Sequence, residues 1–264
     1  MRNLNIAIRS LFKKGRHNVM KIISLSVGLS VALVMIAKIY FEQSYDTFYP
    51  DADRIYRIYE NYSMNGKEED YYQVSGAVAP AMRSEIPGVE DATRLTYIGG
   101  DNTLFTTPDK QRYSARYIMM ADSNVFDIFP VPILSGNPKV VLAKPWYAMI
   151  SRSLAEKIRE GNSLESVIGK TLSVDRKEPM SIRGVFEDMG ENADIHFDVV
   201  VPMNKLWNLA RGGWGYDISY MSIIRFRDPA KDIKAVEARI PDMLKKYMAD
   251  SSNCLLYTSP SPRD

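Results

Sequence analysis

The sequence is short of the groups that most site chemistry requires. Its single cysteine, Cys254, excludes an internal disulfide and a cysteine-rich metal centre. Only two histidines occur, His17 and His196, and no Gly-x-Ser-x-Gly turn presents a serine nucleophile. A further absence is local: no Asp or Glu precedes Glu42, whereas Arg2, Arg9, Lys13, Lys14, Arg16, Lys21 and Lys38 all do. With those seven set apart, 27 basic residues face 32 acidic ones from Glu42 onward, so the overall charge of +2 hides a body of about −5. Such a body lacks the basic face that phosphates demand, which argues against a nucleic-acid partner. Long apolar runs are scarce too. A mean hydropathy of −0.23 leaves room for one or two membrane spans, not a bundle of them.

One such run is present. Ile22 to Phe41 carries one charge, Lys38, and the part from Ile22 to Ala37 carries none. Twenty helical residues rise about 30 Å, the thickness of a bilayer's hydrocarbon core. Lys21 and Lys38 can extend their ammonium groups to the two interfaces, and Tyr40 and Phe41 suit the aromatic belt. A cleaved signal peptide fits poorly, because 21 residues precede the run and Met35 sits two positions before Ala37, the best candidate cut. Basic residues before the span and acidic ones after it place the N-terminus in the cytoplasm, with Arg9, Lys13, Lys14, Arg16 and Lys21 as the topology signal. Leu4, Ile8, Leu11 and Phe12 fall on one helical face of the leading segment and basic residues on another, the pattern of an interfacial helix on anionic lipid. Ser24, Gly28 and Ala32 recur every four positions, a stripe on which a partner helix could pack closely.

The expected organisation is therefore a cytoplasmic amphipathic basic segment (1–21), a transmembrane helix (22–41), an extracytoplasmic domain (42–250) and a tail (251–264). Within the domain, Arg54 to Glu60 reads as a strand, and Ser75 can cap a helix with Val78, Met82 and Ile86 on one face, ended by Pro87-Gly88. Strands are predicted at Ala92 to Ile98 and Arg112 to Met119, as hairpin arms about a Thr107-Pro108-Asp109 turn. Trp146 to Ile150 reads as a strand, and Ser153 with Glu156 as a capping box for a helix closed by Gly161. Further strands are predicted at Lys170 to Val174, Met180 to Phe186, Ile195 to Val201 and Ile218 to Phe226. Asp232 to Met248 has helical spacing that Pro241 should divide. This mixture is α+β, with helices expected on one face of a sheet. The tail SSNCLLYTSPSPRD changes character, without periodicity, and looks like translated adapter sequence, in which Cys254 would carry no meaning.

Catalytic and cofactor motifs do not assemble. Gly169-Lys170-Thr171 matches the end of a phosphate-binding loop, but Leu164 stands where that loop needs its first glycine. An ATPase would have to be another chain. Asp194, His196 and Asp198 alternate, so on a strand they could share a face and hold a metal, although solvated edge residues give the same pattern. Gly212-Gly213-Trp214-Gly215 reads as a mobile or partner-facing tip, and Asn61-Tyr62-Ser63 as a glycosylation sequon with meaning only in a eukaryotic secretory setting. No catalytic, cofactor-binding or metal residue is assigned.

Residues 3–32, NLNIAIRSLFKKGRHNVMKIISLSVGLSVA, and 41–58, FEQSYDTFYPDADRIYRI, resemble the N-terminus of MacB/FtsX-like ABC transporter permeases, particularly the type common in Bacteroidetes. The resemblance runs on through IPGVEDATRL, ADSNVFDIFPVPILSGNP, ISRSLAEKI, IGKTLSV and IRGVFEDMGENADIHFDVVVPM, which look like the MacB-like periplasmic core domain, and covers about residues 1–248. It departs at Ile158-Arg159-Glu160-Gly161, where the family usually has an aromatic-Gly pair. The resemblance implies a non-enzymatic permease subunit of the inner membrane with at least three later helices, absent here. ATP would be bound by a separate cytoplasmic ABC ATPase. The other implied partners are a second permease copy, membrane lipid and a periplasmic adaptor or envelope substrate. A membrane-anchored binding or sensor module is the alternative reading of the same residues, and an anchored hydrolase a third.

Overall fold

The structure is a computed structural model that describes residues 18–64, 67–98, 103–107, 111–174, 179–203, 214, 219–247 and 254–260. The chain divides into two units, 1–45 and 46–264. In the first, α1 (Asn18–Gln43) contains the whole expected span, and none of its residues is buried.

In the second unit a short 3-10 turn (Ala52–Arg54) leads into β1 (Ile55–Met64), β2 (Lys67–Tyr71), α2 (Val78–Glu85), β3 (Val89–Tyr97), β4 (Thr103–Thr106), β5 (Arg112–Ala115) and β6 (Ile118–Ala121). There follow α3 (Val125–Ile128), β7 (Ile133–Ser135), α4 (Pro138–Val141), β8 (Tyr147–Ser151), α5 (Arg152–Ile158), β9 (Thr171–Val174), β10 (Met180–Phe186) and β11 (Val199–Pro202). Beyond them come β12 (Met221–Phe226), α6 (Pro229–Glu237), α7 (Ile240–Tyr247) and β13 (Cys254–Pro260). The strands form one mixed sheet in the order β13-β1-β12-β3-β6-β11-β8-β10-β9-β4-β5, with β2 beside β1 and β7 beside β10. The β8/β10 and β6/β11 pairs are parallel.

The central strands explain the layering. A strand with one wet face alternates, whereas one buried on both faces is apolar throughout. β6 and β11 are buried at every residue. Their side chains and those of the neighbouring β8 divide between two cores: Met119, Met149 and Val200 join Phe126, Phe186 and Phe197 in one, while Met120, Ile150, Val199 and Val201 join Leu154 and Ile158 of α5 in another. Both faces are therefore covered, not the single face expected from the sequence. A third core gathers α2, α6 and α7 over β1, β3 and β12 through Met82, Val236, Leu244, Ile58 and Phe226.

Local expectations fared unevenly. Met180–Phe186 forms β10 as predicted, and the last helical region is two helices, α6 and α7, with Pro241 in the first turn of the second, where a missing N–H is harmless. Ser75 works one turn early: its carbonyl accepts from Val78 N, and the helix begins only at Val78. The residue that caps α5 is Ser151, whose Oγ accepts from Leu154 N, while Ser153 turns to Asp188. The hairpin partner of β5 is β4, not Ala92–Ile98, which instead lies between β12 and β6. Arg112–Met119 breaks into β5 and β6 because the amides of Arg116 and Tyr117 both donate to the Asp198 carboxylate, at 2.8 and 3.4 Å. Pro108 and Asp109 lie outside the described residues. The tail pairs Cys254–Pro260 with Tyr56–Tyr62 of β1, since an open strand edge satisfies any extended backbone laid along it.

Gly136, at φ +83, is where the backbone of the β7–α4 turn lies against β10, and a Cβ there would run into the Arg183 carbonyl oxygen. Gly161 and Gly169 also have positive φ but open space around the Cβ position. Gly136→Ala should therefore cost clearly more than the about 1–2 kcal/mol of left-handed strain expected for Gly161→Ala. Urea denaturation of the detergent-solubilised chain measures both.

Candidate functional site

No catalytic constellation forms among the described residues, and no group of three metal-binding side chains gathers there. His196 Nε2 lies 3.0 Å from the Gly190 carbonyl oxygen, and Asp198 is engaged by backbone amides. The strand expected at Ile195 begins only at Val199, so the alternation of Asp194, His196 and Asp198 does not put them on one strand face. Lys170 Nζ donates to the Ile158 carbonyl at the end of α5, 2.9 Å away, and the amides of Gly169 and Lys170 donate to Ile182 and Val167, so that turn holds the chain rather than a phosphate. Asn61 donates to Asp70. Trp214, expected at a mobile tip, stacks on Tyr247 with ring centroids 4.8 Å apart; Gly212, Gly213 and Gly215 lie outside the described residues.

What the structure does build is a membrane-type helix and a joint beyond it. α1 is apolar and, at 26 residues, long enough to cross a bilayer. Ser24, Gly28 and Ala32 lie on it, four residues apart and exposed, and no atom comes within 4 Å of where a Cβ on Gly28 would sit. Lys21 is exposed in its first turns; Arg9, Lys13, Lys14 and Arg16 fall outside the described residues.

The joint begins at Asp46, the first residue of the second unit. Its backbone is left-handed at φ +52, a conformation that Asp tolerates better than most residues. Its amide donates to the Asn192 carbonyl at 3.0 Å, and its Oδ1 accepts from the Asp194 amide at 3.2 Å. Tyr49 N returns to the Asp46 carbonyl, closing a turn. The loop between β10 and β11 is thus latched to the chain 148 residues earlier. Asp46 is 3% exposed, so its carboxylate is held out of water by this turn. Next to it Tyr49 is buried against Phe129, ring centroids 5.5 Å apart, and burial, with the nearby Asp46 charge, drives its phenol pKa far upward and keeps it protonated. Phe48 packs at a tilt against Tyr49, ring centroids 4.3 Å apart, and lies beside Gly190. No sequence pattern marks this latch, because its two halves are remote and one of them is backbone.

Asp194 supplies the latched amide. Partial burial raises its carboxyl pKa, and Arg57 and His196 oppose that shift. A folded pKa above the unfolded one means that Asp194 favours the fold at pH below its unfolded value and loses that contribution as the pH rises through the folded one.

A model of the MacB-like periplasmic core domain matches residues 19–243. The chain is similar to the crystal structure of a domain of a candidate permease protein from Porphyromonas gingivalis, with 28% identity and a TM-score of 0.70, covering 81% of this chain and 94% of that one. It is similar in fold to the periplasmic region of MacB from Actinobacillus actinomycetemcomitans, at 13% identity and a TM-score of 0.55, covering 81% and 92%. None of the curated proteins compared matches it.

Two outcomes test the joint. Asp46→Ala, which strips an acceptor from a buried amide and forces alanine into a left-handed turn, should cost about 1–3 kcal/mol and speed exchange of the Asp194 amide, whereas Asp46→Asn should preserve most of both; hydrogen exchange and denaturation report them. Asp194→Asn should raise Tm at neutral pH and lose that advantage below about pH 4, where the native carboxyl is also neutral. Thermal melts across pH follow the effect.

Proposed function

Because the chain belongs to the MacB-like periplasmic core domain family, we propose that it is the N-terminal part of an ABC transporter permease. In this reading α1 carries ATP-driven motion from a cytoplasmic ATPase to the outer domain. The observation behind this is the attachment itself: a span-length apolar helix runs, through two intervening residues, into a residue that is both latched to the β10–β11 loop and continuous with β1.

That double attachment has mechanical content. β1 lies toward one side of the sheet and β11 near its middle, separated by β12, β3 and β6. A displacement arriving at Asp46 therefore enters along the backbone into β1 and through hydrogen bonds into the turn before β11. Interfaces packed at interior density respond by discrete rearrangement rather than by stretching, and a change in α1 does work on the domain only if the two states differ in packing. Ser24, Gly28 and Ala32 are the proposed place of that packing, against helices of the permease or of a second copy. The chain itself carries no ATP site in this reading; the nucleotide belongs to the separate ATPase, which serves the transport or mechanical work at the envelope. The basic residues Arg9, Lys13, Lys14, Arg16 and Lys21 hold the N-terminus in the cytoplasm of a cell with the domain outside its inner membrane.

Alkaline phosphatase fused after Met248 should be active, and reversing Arg9, Lys13, Lys14 and Arg16 to Glu should weaken or invert insertion. In the assembled transporter, Gly28→Leu should lower coupled ATP hydrolysis about fivefold or more while leaving insertion intact, the scale of an ordinary coupling free energy. A silent fusion contradicts the orientation. Full activity of Gly28→Leu at normal expression contradicts the packing face.

A further inference from the structure

Beside the latch the domain exposes aromatic rings that its cores do not use. Phe48 is 45% exposed, Tyr97 41% and Tyr72 37%. Phe48 and Tyr97 lie along one chain of contacts that forms a rim, and Tyr72 lies under Arg57, whose charge acts on Asp194 of the same latch. Tyr97 is joined through Tyr117 to His196, two residues from the latched Asp194. Tyr97 and Tyr117 have ring centroids 6.2 Å apart, and Tyr117 lies 5.6 Å from the His196 ring. Two guanidinium groups cover tyrosines of this set, Arg116 over Tyr117 and Arg57 over Tyr72, each at 5.2 Å. Phe48 closes the rim on the other side of the latch, next to Gly190.

We propose that this rim is an interfacial surface that rests in the phospholipid headgroup layer of the leaflet at the Gln43 end of α1. Covalent distance sets the place: five peptide units separate Phe41, at the end of the apolar run, from Asp46, at most about 17 Å of chain even if fully extended. The hydrogen bonds from Asp46 to residues 192 and 194 then hold the rim loop at that tether. The residue types set the chemistry. Tyrosine has an apolar ring and a polar tip, and phenylalanine adds apolar area, which suits the boundary between acyl chains and headgroups. The charges set what the rim does not do: Arg57 lies in the field of Asp194, and Asp198 adds a second carboxylate beside the Arg116 backbone, so the rim carries as many acidic as basic groups and aromatic partition rather than attraction to anionic lipid holds the surface down. Held in this way, the domain end beside the joint resists rocking, and motion of α1 is delivered to the latch rather than lost in swinging the whole domain.

This rests on α1 being a span, and the two can fail separately. The full chain is placed in phosphatidylcholine vesicles, in phosphatidylcholine–phosphatidylglycerol vesicles and in maltoside micelles, and amide hydrogen exchange is followed. Residues 190–197 and 116–118 should exchange on the order of threefold more slowly in both kinds of vesicle than in micelles, with residues 164–170 as an unchanged reference. Phe48→Ser and, independently, Tyr97→Ser should remove that protection, and Arg116→Gln should keep it. Recovery of the chain outside the membrane fraction would overturn the span. Membrane-retained chain with equal exchange in vesicles and micelles would overturn the rim, and protection confined to the phosphatidylglycerol vesicles would overturn its aromatic basis.

Discussion

The burial of β6 and β11 on both faces is the constraint from which the rest of the domain follows. A strand enclosed above and below must be apolar at every position, and Ile118–Ala121 and Val199–Pro202 are. Each such strand then requires a helical layer on either side, supplied by α3 and α4 over one face and α5 over the other. Polar chemistry is expelled to the ends of the strands, where loops meet. The joint with α1 and the aromatic rim both occupy such an end, because a charged group within the layers would need an internal partner, whereas small hydroxyls such as those of Thr93 and Ser222 are buried there without one among the described residues.

Carboxylates and backbone amides do the fastening at that end. Asp46 receives the Asp194 amide, and Asp198 receives the amides of Arg116 and Tyr117, so three short segments remote in sequence are tied by charge-assisted bonds that need no second side chain. Elsewhere the ties are ion pairs: Arg94 makes a bidentate contact with Asp122 at 2.9 Å on both arms and reaches the Gly76 carbonyl at 3.0 Å, binding β3 to the segment after β6 and to the approach of α2. Membership of the MacB-like periplasmic core domain family gives the joint its context, as the place where a span-length apolar helix runs into that domain.

The sequence made the periodic parts legible and left the joints dark. α1, β10 and the pair α6 and α7 follow from hydrophobic spacing and one proline, all local signals. The hairpin was misassigned because Thr103–Thr106 is a weaker strand signal than Ala92–Ile98, and only the apolar environment between β12 and β6 claims the latter. Asp194, His196 and Asp198 were read as able to share a face because a strand was predicted from Ile195; Asp198 instead captures two amides from another segment, and the strand begins only at Val199. The stripe Ser24, Gly28 and Ala32 was visible from spacing, whereas Asp46 was not, since neither its left-handed turn nor its partner 148 residues away leaves a local pattern.

The pairing of β1 with β12 has a consequence for how the molecule is made. Ile55 to Ile58 align with Arg225 to Ser222, so the first strand to emerge behind α1 has to wait for a partner about as far away in sequence as a whole small domain is long. Contacts of such separation slow folding, and until they form a strand edge stays open to misassociation. A nascent chain meets this interval every time, with its first strand made and most of the sheet still unsynthesised. Assembly of this domain is thus paced by the arrival of residues 221–226, and any factor that shields β1 until then would govern yield rather than final stability.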